Sequence, residues 1–197
     1  RIPFDLEYFN KITKGGLPNK TLNIALAGTG VGKSLFMCHM AASCLAQNKS
    51  VLYITLEMSE ERIGERIDAN SMNVTMEDLH DLPKTMYEDR ISRIASKTNG
   101  KLVIKEYPTA SAHVGHFRAL VKELALKKSF KPDIIFIDYL NICTTARFKN
   151  AGNMNSYSYV KAIAEELRGF AVELNLPIMS ATVSYTHLRA HETSRNL

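Results

Sequence analysis

A chain of 197 residues with 45% hydrophobic content has the length of one domain and enough apolar material for a core, and no apolar run in it is long enough for a membrane span. Its net charge of +5 is mild, compatible with a nucleic-acid partner without demonstrating one. Cys38, Cys44 and Cys143 form neither a metal-ligand cluster nor an even disulfide set, so they read as reduced, mostly buried thiols of a cytosolic protein.

The chain opens at Arg1 with no signal-peptide pattern, which leads us to expect a piece of a longer protein. Ile2, Phe4, Leu6 and Phe9 form a short apolar cluster before the turn Gly15-Gly16-Leu17-Pro18. The first predicted strand, Leu22–Leu26, leads into Ala27-Gly28-Thr29-Gly30-Val31-Gly32-Lys33-Ser34, and an apolar-periodic helix follows over Leu35–Leu45. Strand, glycine-rich turn and helix are the context of a phosphate-binding loop. Its glycines let the backbone curl around a phosphate, and the helix N-terminus adds partial positive charge. Gly28, Thr29, Gly30, Val31, Gly32, Lys33 and Ser34 are therefore the candidate nucleotide-binding residues. Lys33 would reach the β- and γ-phosphates and Ser34 would offer a hydroxyl to Mg²⁺. Ala27 stands where the motif usually has glycine. An ordinary glycine-rich turn is the plainer alternative, and the Gly-Lys-Ser triplet in this context argues against it.

A second predicted strand, Val51–Leu56, ends in Glu57. Glu57 could serve as a general base that aligns and deprotonates a water, or it could cap a helix starting near Ser59. A third strand covers Leu102–Glu106. Val114, Phe117, Leu120, Val121 and Leu124 then recur at helical spacing. The fourth strand, Ile134–Asp138, is four apolar residues closed by a carboxylate. Downstream of a phosphate-binding loop this resembles a Walker B strand, with Asp138 beside the nucleotide to hold Mg²⁺. The stretch from Asn150 to Tyr159, rich in Asn, Ser and Tyr, reads as a mobile loop. Ile163, Leu167, Phe170 and Leu174 mark the last helix, and Ile178–Thr182 the fifth strand.

Arg147, Lys149 and Asn150 are candidate nucleic-acid contacts, with Phe148 or Tyr157 available to stack on bases; a solvated loop is the plainer reading. His113 and His116 lack a further ligand nearby and read as surface residues. Met37, Met40, Met58, Met72 and Met76 read as packing residues. Alternating apolar strands and helices predict an α/β domain with a mostly parallel sheet flanked by helices. Ligands of such sheets bind at the carboxyl ends of the strands, where the loop, Glu57 and Asp138 all fall.

The segments AGTGVGKS, YITLEMSEERIGERIDAN (Tyr53–Asn70), EYPT (Glu106–Thr109) and DIIFIDYLNI (Asp133–Ile142) resemble the ATPase domain of DnaB-type replicative DNA helicases, most nearly those of T-even-like tailed phages. The resemblance runs in unbroken order over about residues 1–182. It implies a RecA-like core in a homo-hexameric ring, with ATP between subunits and single-stranded DNA in a central channel. It also implies primase and a helicase loader as partners, and a cytoplasmic location. Carried over by position, Lys33 and Ser34 hold phosphate and Mg²⁺, Glu57 is the catalytic base and Asp138 the Walker B acid. Arg147 to Tyr159 takes the place of a loop that faces DNA.

The sequence departs from that family after Thr182, where a γ-phosphate-contacting Gln is expected and Val183 stands. Residues 183–197 resemble the read-through translation of a transposon-based sequencing adapter, so we expect a non-native tail and a core truncated at its C-terminal side, without the family's arginine finger. A chain cut there is expected to bind nucleotide with feeble hydrolysis at most. Two other functions remain open: another RecA-like ATPase, such as a recombinase or a clock or signalling ATPase, and an ATP-dependent assembly module that does no net work.

Overall fold

The computed structural model describes residues 1–147 and 156–183. Five strands form one sheet: β1 (Leu22–Ala27), β2 (Val51–Thr55), β3 (Leu102–Glu106), β4 (Ile134–Asp138) and β5 (Ile178–Val183). Their spatial order is β1-β5-β4-β2-β3, and every pairing is parallel. The predicted strands hold to within one residue at each end.

The helices are α1 (Glu7–Thr13), α2 (Lys33–Ala46), α3 (Glu60–Met72), α4 (Met76–Asp81), α5 (Lys84–Ala95), α6 (Val114–Lys128) and α7 (Ser156–Leu174), with a 3₁₀ turn at Leu140–Ile142. They cover both faces of the sheet, which gives two apolar layers. On one side, Leu52, Ile54, Ile135 and Ile137 pack with Phe117 and Leu120 of α6 and Leu167 and Phe170 of α7. On the other, Val51, Tyr53, Ile134 and Phe136 meet Met37, Met40 and Ala41 of α2 and Ile63 and Ile67 of α3. The period-two alternation of a strand assigns these sides. It also places Tyr53, Phe136 and Asp138 on the α2 side, the side of the glycine-rich loop.

β2 and β4 are buried along their whole length, which is why they read as unbroken apolar runs. β1 is an edge strand on which Ile24 and Leu26 are exposed. Cys38, Cys44 and Cys143 are free and buried, as their spacing predicts. Met37 and Met40 are fully buried, and Met58 packs against the same layer. His113 and His116 do local work, since His113 Nδ1 accepts from Gly115 N–H at 2.9 Å and His116 Nδ1 from His113 N–H at 3.2 Å, closing the start of α6.

One prediction is corrected. The irregular loop expected over Asn150–Tyr159 ends early, because α7 already begins at Ser156. Tyr159 and Val160 pack against the layer holding Phe170, so the apolar stripe of α7 starts before the Ile163 that marks it in the sequence. Residues 148–155, with Lys149 and Asn150, lie outside the described residues, as does the tail beyond Val183. Val183 itself pairs with Ala27.

Candidate active site

The glycine-rich loop closes β1 and starts α2. Gly30 and Gly32 have φ of 73° and 99°, a left-handed conformation that side-chain-bearing residues adopt at a cost. Gly32 is the residue before the first turn of α2, where no side chain caps the helix and no acidic residue sits. The positive end of the helix dipole is thus left to an incoming anion. Lys33 Nζ donates to the Gly28 carbonyl at 2.7 Å and lies 3.4 Å from that of Ala27, so the ammonium lies across its own loop.

Thr29, Gly30, Gly32, Lys33, Ser34 and Glu57 line one cleft of about 450 Å³ at the carboxyl ends of the strands, joined by Leu35, Arg66, Tyr139 and Val183. Val31 stands apart on the outer side of the loop, 69% exposed. Gly28 contributes its carbonyl to Lys33. Asp138 reaches the site from below: Ser34 Oγ donates to its Oδ1 at 3.2 Å.

Glu57 is placed by hydrogen bonds on both sides of it. Leu56 N–H donates to the Asp138 carbonyl at 2.9 Å, and Thr109 Oγ1 donates to the Leu56 carbonyl at 2.6 Å. The buried Thr55 hydroxyl accepts from Met58 N–H at 3.1 Å and donates to the Met58 carbonyl at 2.8 Å, closing the turn that carries Glu57. The capping role considered for Glu57 belongs to Ser59, whose hydroxyl accepts from Arg62 N–H at the start of α3. Glu57 is left exposed at the cleft.

Asp138 is 1% exposed. Burial pushes its carboxyl above the usual 3.8, against the downward pull of hydrogen bonds from Ser34 and Tyr53 and of the positive charges of Arg66 and Lys33. A buried carboxylate next to a serine hydroxyl is a hard, all-oxygen pair, which suits Mg²⁺ rather than a thiophilic metal. Among the described residues there is no cluster of three or more His, Cys, Asp or Glu that could hold a metal ion.

Sequence reasoning missed Arg66, Tyr53 and Tyr139. Arg66 lies on α3, nine positions beyond Glu57, and its neighbours Ile63 and Ile67 are buried on the sheet side. Only the combination of a motif acid with the helix after it points to this residue. Arg147, nominated for nucleic acid, is ion-paired to α7: its Nη1 lies 2.6 Å from Glu165 Oε2 and its Nε 3.6 Å from Glu166 Oε1.

The sequence profile of the DnaB-like helicase C-terminal domain matches residues 2–189. The DnaB-like replicative helicase of Enterobacteria phage T4 is 46% identical over 184 residues, which are 92% of this chain and 38% of that protein. The replicative DNA helicase DnaB of Mycoplasma pneumoniae is 26% identical over 195 residues, 94% of this chain and 40% of that protein. Among solved structures, a DnaB-like replicative helicase described with its interactions with primase superposes with a TM-score of 0.70 at 18% identity, covering 91% of this chain and 42% of that one. The chain thus spans about two-fifths of the length of these relatives. Its parallel sheet, its loop-to-helix junction and these similarities lead to one assignment: the chain belongs to the DnaB-like helicase C-terminal domain family, with a RecA-like fold.

Proposed function

We propose that this chain is the ATP-hydrolysing core of a replicative DNA helicase. The observation that carries the reading is the gathering of Lys33, Ser34 and Glu57 around one cleft, with Asp138 bonded to Ser34 beneath it. In this reading Lys33 leaves the Gly28 carbonyl for the β- and γ-phosphate oxygens and offsets charge there. The first turn of α2 and the loop backbone cradle the phosphates. Ser34 and Asp138 would hold Mg²⁺, which would neutralise negative charge on the phosphates. Glu57 orients the attacking water and takes its proton.

The wider function follows the relatives. The T4 protein's description as a replicative helicase supports a DNA-unwinding motor; its action on single-stranded DNA as a homo-hexamer is a family expectation. The solved DnaB-like helicase that interacts with primase supports primase as a partner, with a loader as a further family expectation. The phage relative supports a place in the cytoplasm, that of the host cell if a phage encodes the chain. No helix among the described residues is long and apolar enough to cross a membrane. The domain boundary is proposed at Thr182, with an adapter-derived tail beyond it. Independent sequencing reads that cross Thr182 without an adapter junction would remove that boundary.

The test uses the longest natural reading frame that contains this chain. ATP turnover is measured with and without single-stranded DNA, followed by unwinding of a forked duplex. DNA-stimulated turnover with unwinding, both lost in Lys33→Ala, is the expected result. Strand exchange without unwinding would reassign the chain to a recombinase, and turnover indifferent to DNA would favour an assembly module.

A further inference from the structure

The two carboxylate oxygens of Asp138 have different partners. Oδ1 faces the loop and accepts from Ser34 at 3.2 Å, whereas Oδ2 faces the core and accepts from the phenol of Tyr53 at 3.0 Å. Tyr53 is fully buried in the middle of β2. Its ring lies over Phe136 of β4, with centroids 5.6 Å apart and planes 12° from parallel. The register pairs Tyr53 with Phe136, and Asp138 stands two residues further along on the same face. Ring and strand are therefore held, and the hydroxyl is aimed by both. Its other neighbour is the Cys38 sulfur on α2 at 3.8 Å, a weak partner.

We propose that Tyr53 is a positioning residue for the metal site: its phenol pins Oδ2 of Asp138 so that Oδ1 is the oxygen presented, with Ser34, to a divalent cation. The proposal rests on the reading of this cleft as a Mg²⁺–nucleotide site. A carboxylate held at one oxygen still turns about its Cβ–Cγ bond. Bonds at both oxygens fix its plane, and Mg²⁺ demands near-ideal octahedral geometry from its ligands. Phenylalanine would fill the same space in β2 without bringing a hydroxyl that must find a buried acceptor. The chain carries that hydroxyl at the one place where the acceptor is the acid beneath the loop. A plainer account, in which the phenol merely satisfies itself on a convenient oxygen, makes a different forecast for the metal.

The experiment is a Mg²⁺ titration of nucleotide binding to the full chain, read by a fluorescent N-methylanthraniloyl-ATP, with Tyr53→Phe beside wild type. The expected result is unchanged nucleotide affinity in the absence of Mg²⁺ and a roughly tenfold rise in the Mg²⁺ concentration at half-saturation, the scale on which outer-shell partners act on metal affinity. Equal half-saturation in the two proteins overturns the proposal. Should Tyr53→Phe fail to fold, Tyr53→Met removes the same hydroxyl and fills the space in β2 with a flexible apolar side chain. A roughly tenfold rise in half-saturating Mg²⁺ is expected there too, and no change overturns the proposal. A wild-type chain that binds the nucleotide without any response to Mg²⁺ overturns the metal-site reading itself, and this proposal with it.

Discussion

Glu57 and Asp138 are both acids at strand ends, yet the fold treats them oppositely. Glu57 stands exposed at the cleft, while Asp138 is almost wholly enclosed. For Glu57→Gln, made in the longest natural reading frame that contains this chain, the expectation is retained nucleotide binding with turnover reduced by about 10²–10⁴, the usual contribution of a general base. Single-turnover ATP hydrolysis beside equilibrium binding checks it. Thermal stability is expected to stay as in wild type, because Ser59 and not Glu57 caps α3. For Asp138 the sign runs the other way. A carboxyl whose folded pKa lies above its ordinary 3.8 adds stability that is complete below that value and lost as pH rises through the folded one. At neutral pH the ionised side chain is a net burden on the fold. Asp138→Asn should therefore resist urea better than wild type at pH 7 without divalent cations, the gap should narrow toward acid pH, and Mg²⁺ should no longer stabilise it.

Among the elements, the strands were the most legible. β2 and β4 are covered on both faces, so their sequences run apolar up to a terminal Thr55 and Asp138. The phosphate-binding loop was legible because only glycine readily tolerates the turn at Gly30 and Gly32. α5 was not singled out, although Tyr87, Ile91 and Ile94 recur at helical spacing; none of its residues is buried. Tyr53 escaped notice because an aromatic in a buried strand reads as packing, and only the register of β2 against β4 brings its hydroxyl to Asp138. Residues at a loop's end carry similar ambiguity. Arg147 reads as a phosphate contact in the sequence, and the fold sets it between Glu165 and Glu166 of α7. The caps are testable at this scale. Ser59→Ala removes the acceptor for Arg62 N–H and should lower the unfolding free energy by about 1 kcal/mol, read from urea midpoints at constant slope.

Across the whole molecule, the two apolar layers are reported by the thiols buried in them. Cys38 and Cys44 lie in the α2 layer and Cys143 in the α6–α7 layer. Burial pushes Cys38 up to about 11 and Cys44 and Cys143 up to about 12, so at pH 8 the reactive thiolate is scarce in all three. A maleimide should leave the native chain unlabelled, and labelling of all three should appear together with the loss of circular dichroism in urea. Earlier labelling of Cys38 alone would reveal that α2 loosens before the sheet.

The bond from Leu56 N–H to the Asp138 carbonyl continues the β2–β4 ladder past the end of the strands. It makes the segment leading to Glu57 and the strand bearing Asp138 parts of one rigid plate. A nucleotide is therefore expected to move the glycine-rich loop with its Lys33 rather than to spread these two acids apart. The plate acts as an anvil, and the loop as the part that strikes it. Deuterium uptake should show this division directly: the Leu56 amide should exchange only through global unfolding, with or without nucleotide, while loop amides slow when nucleotide binds.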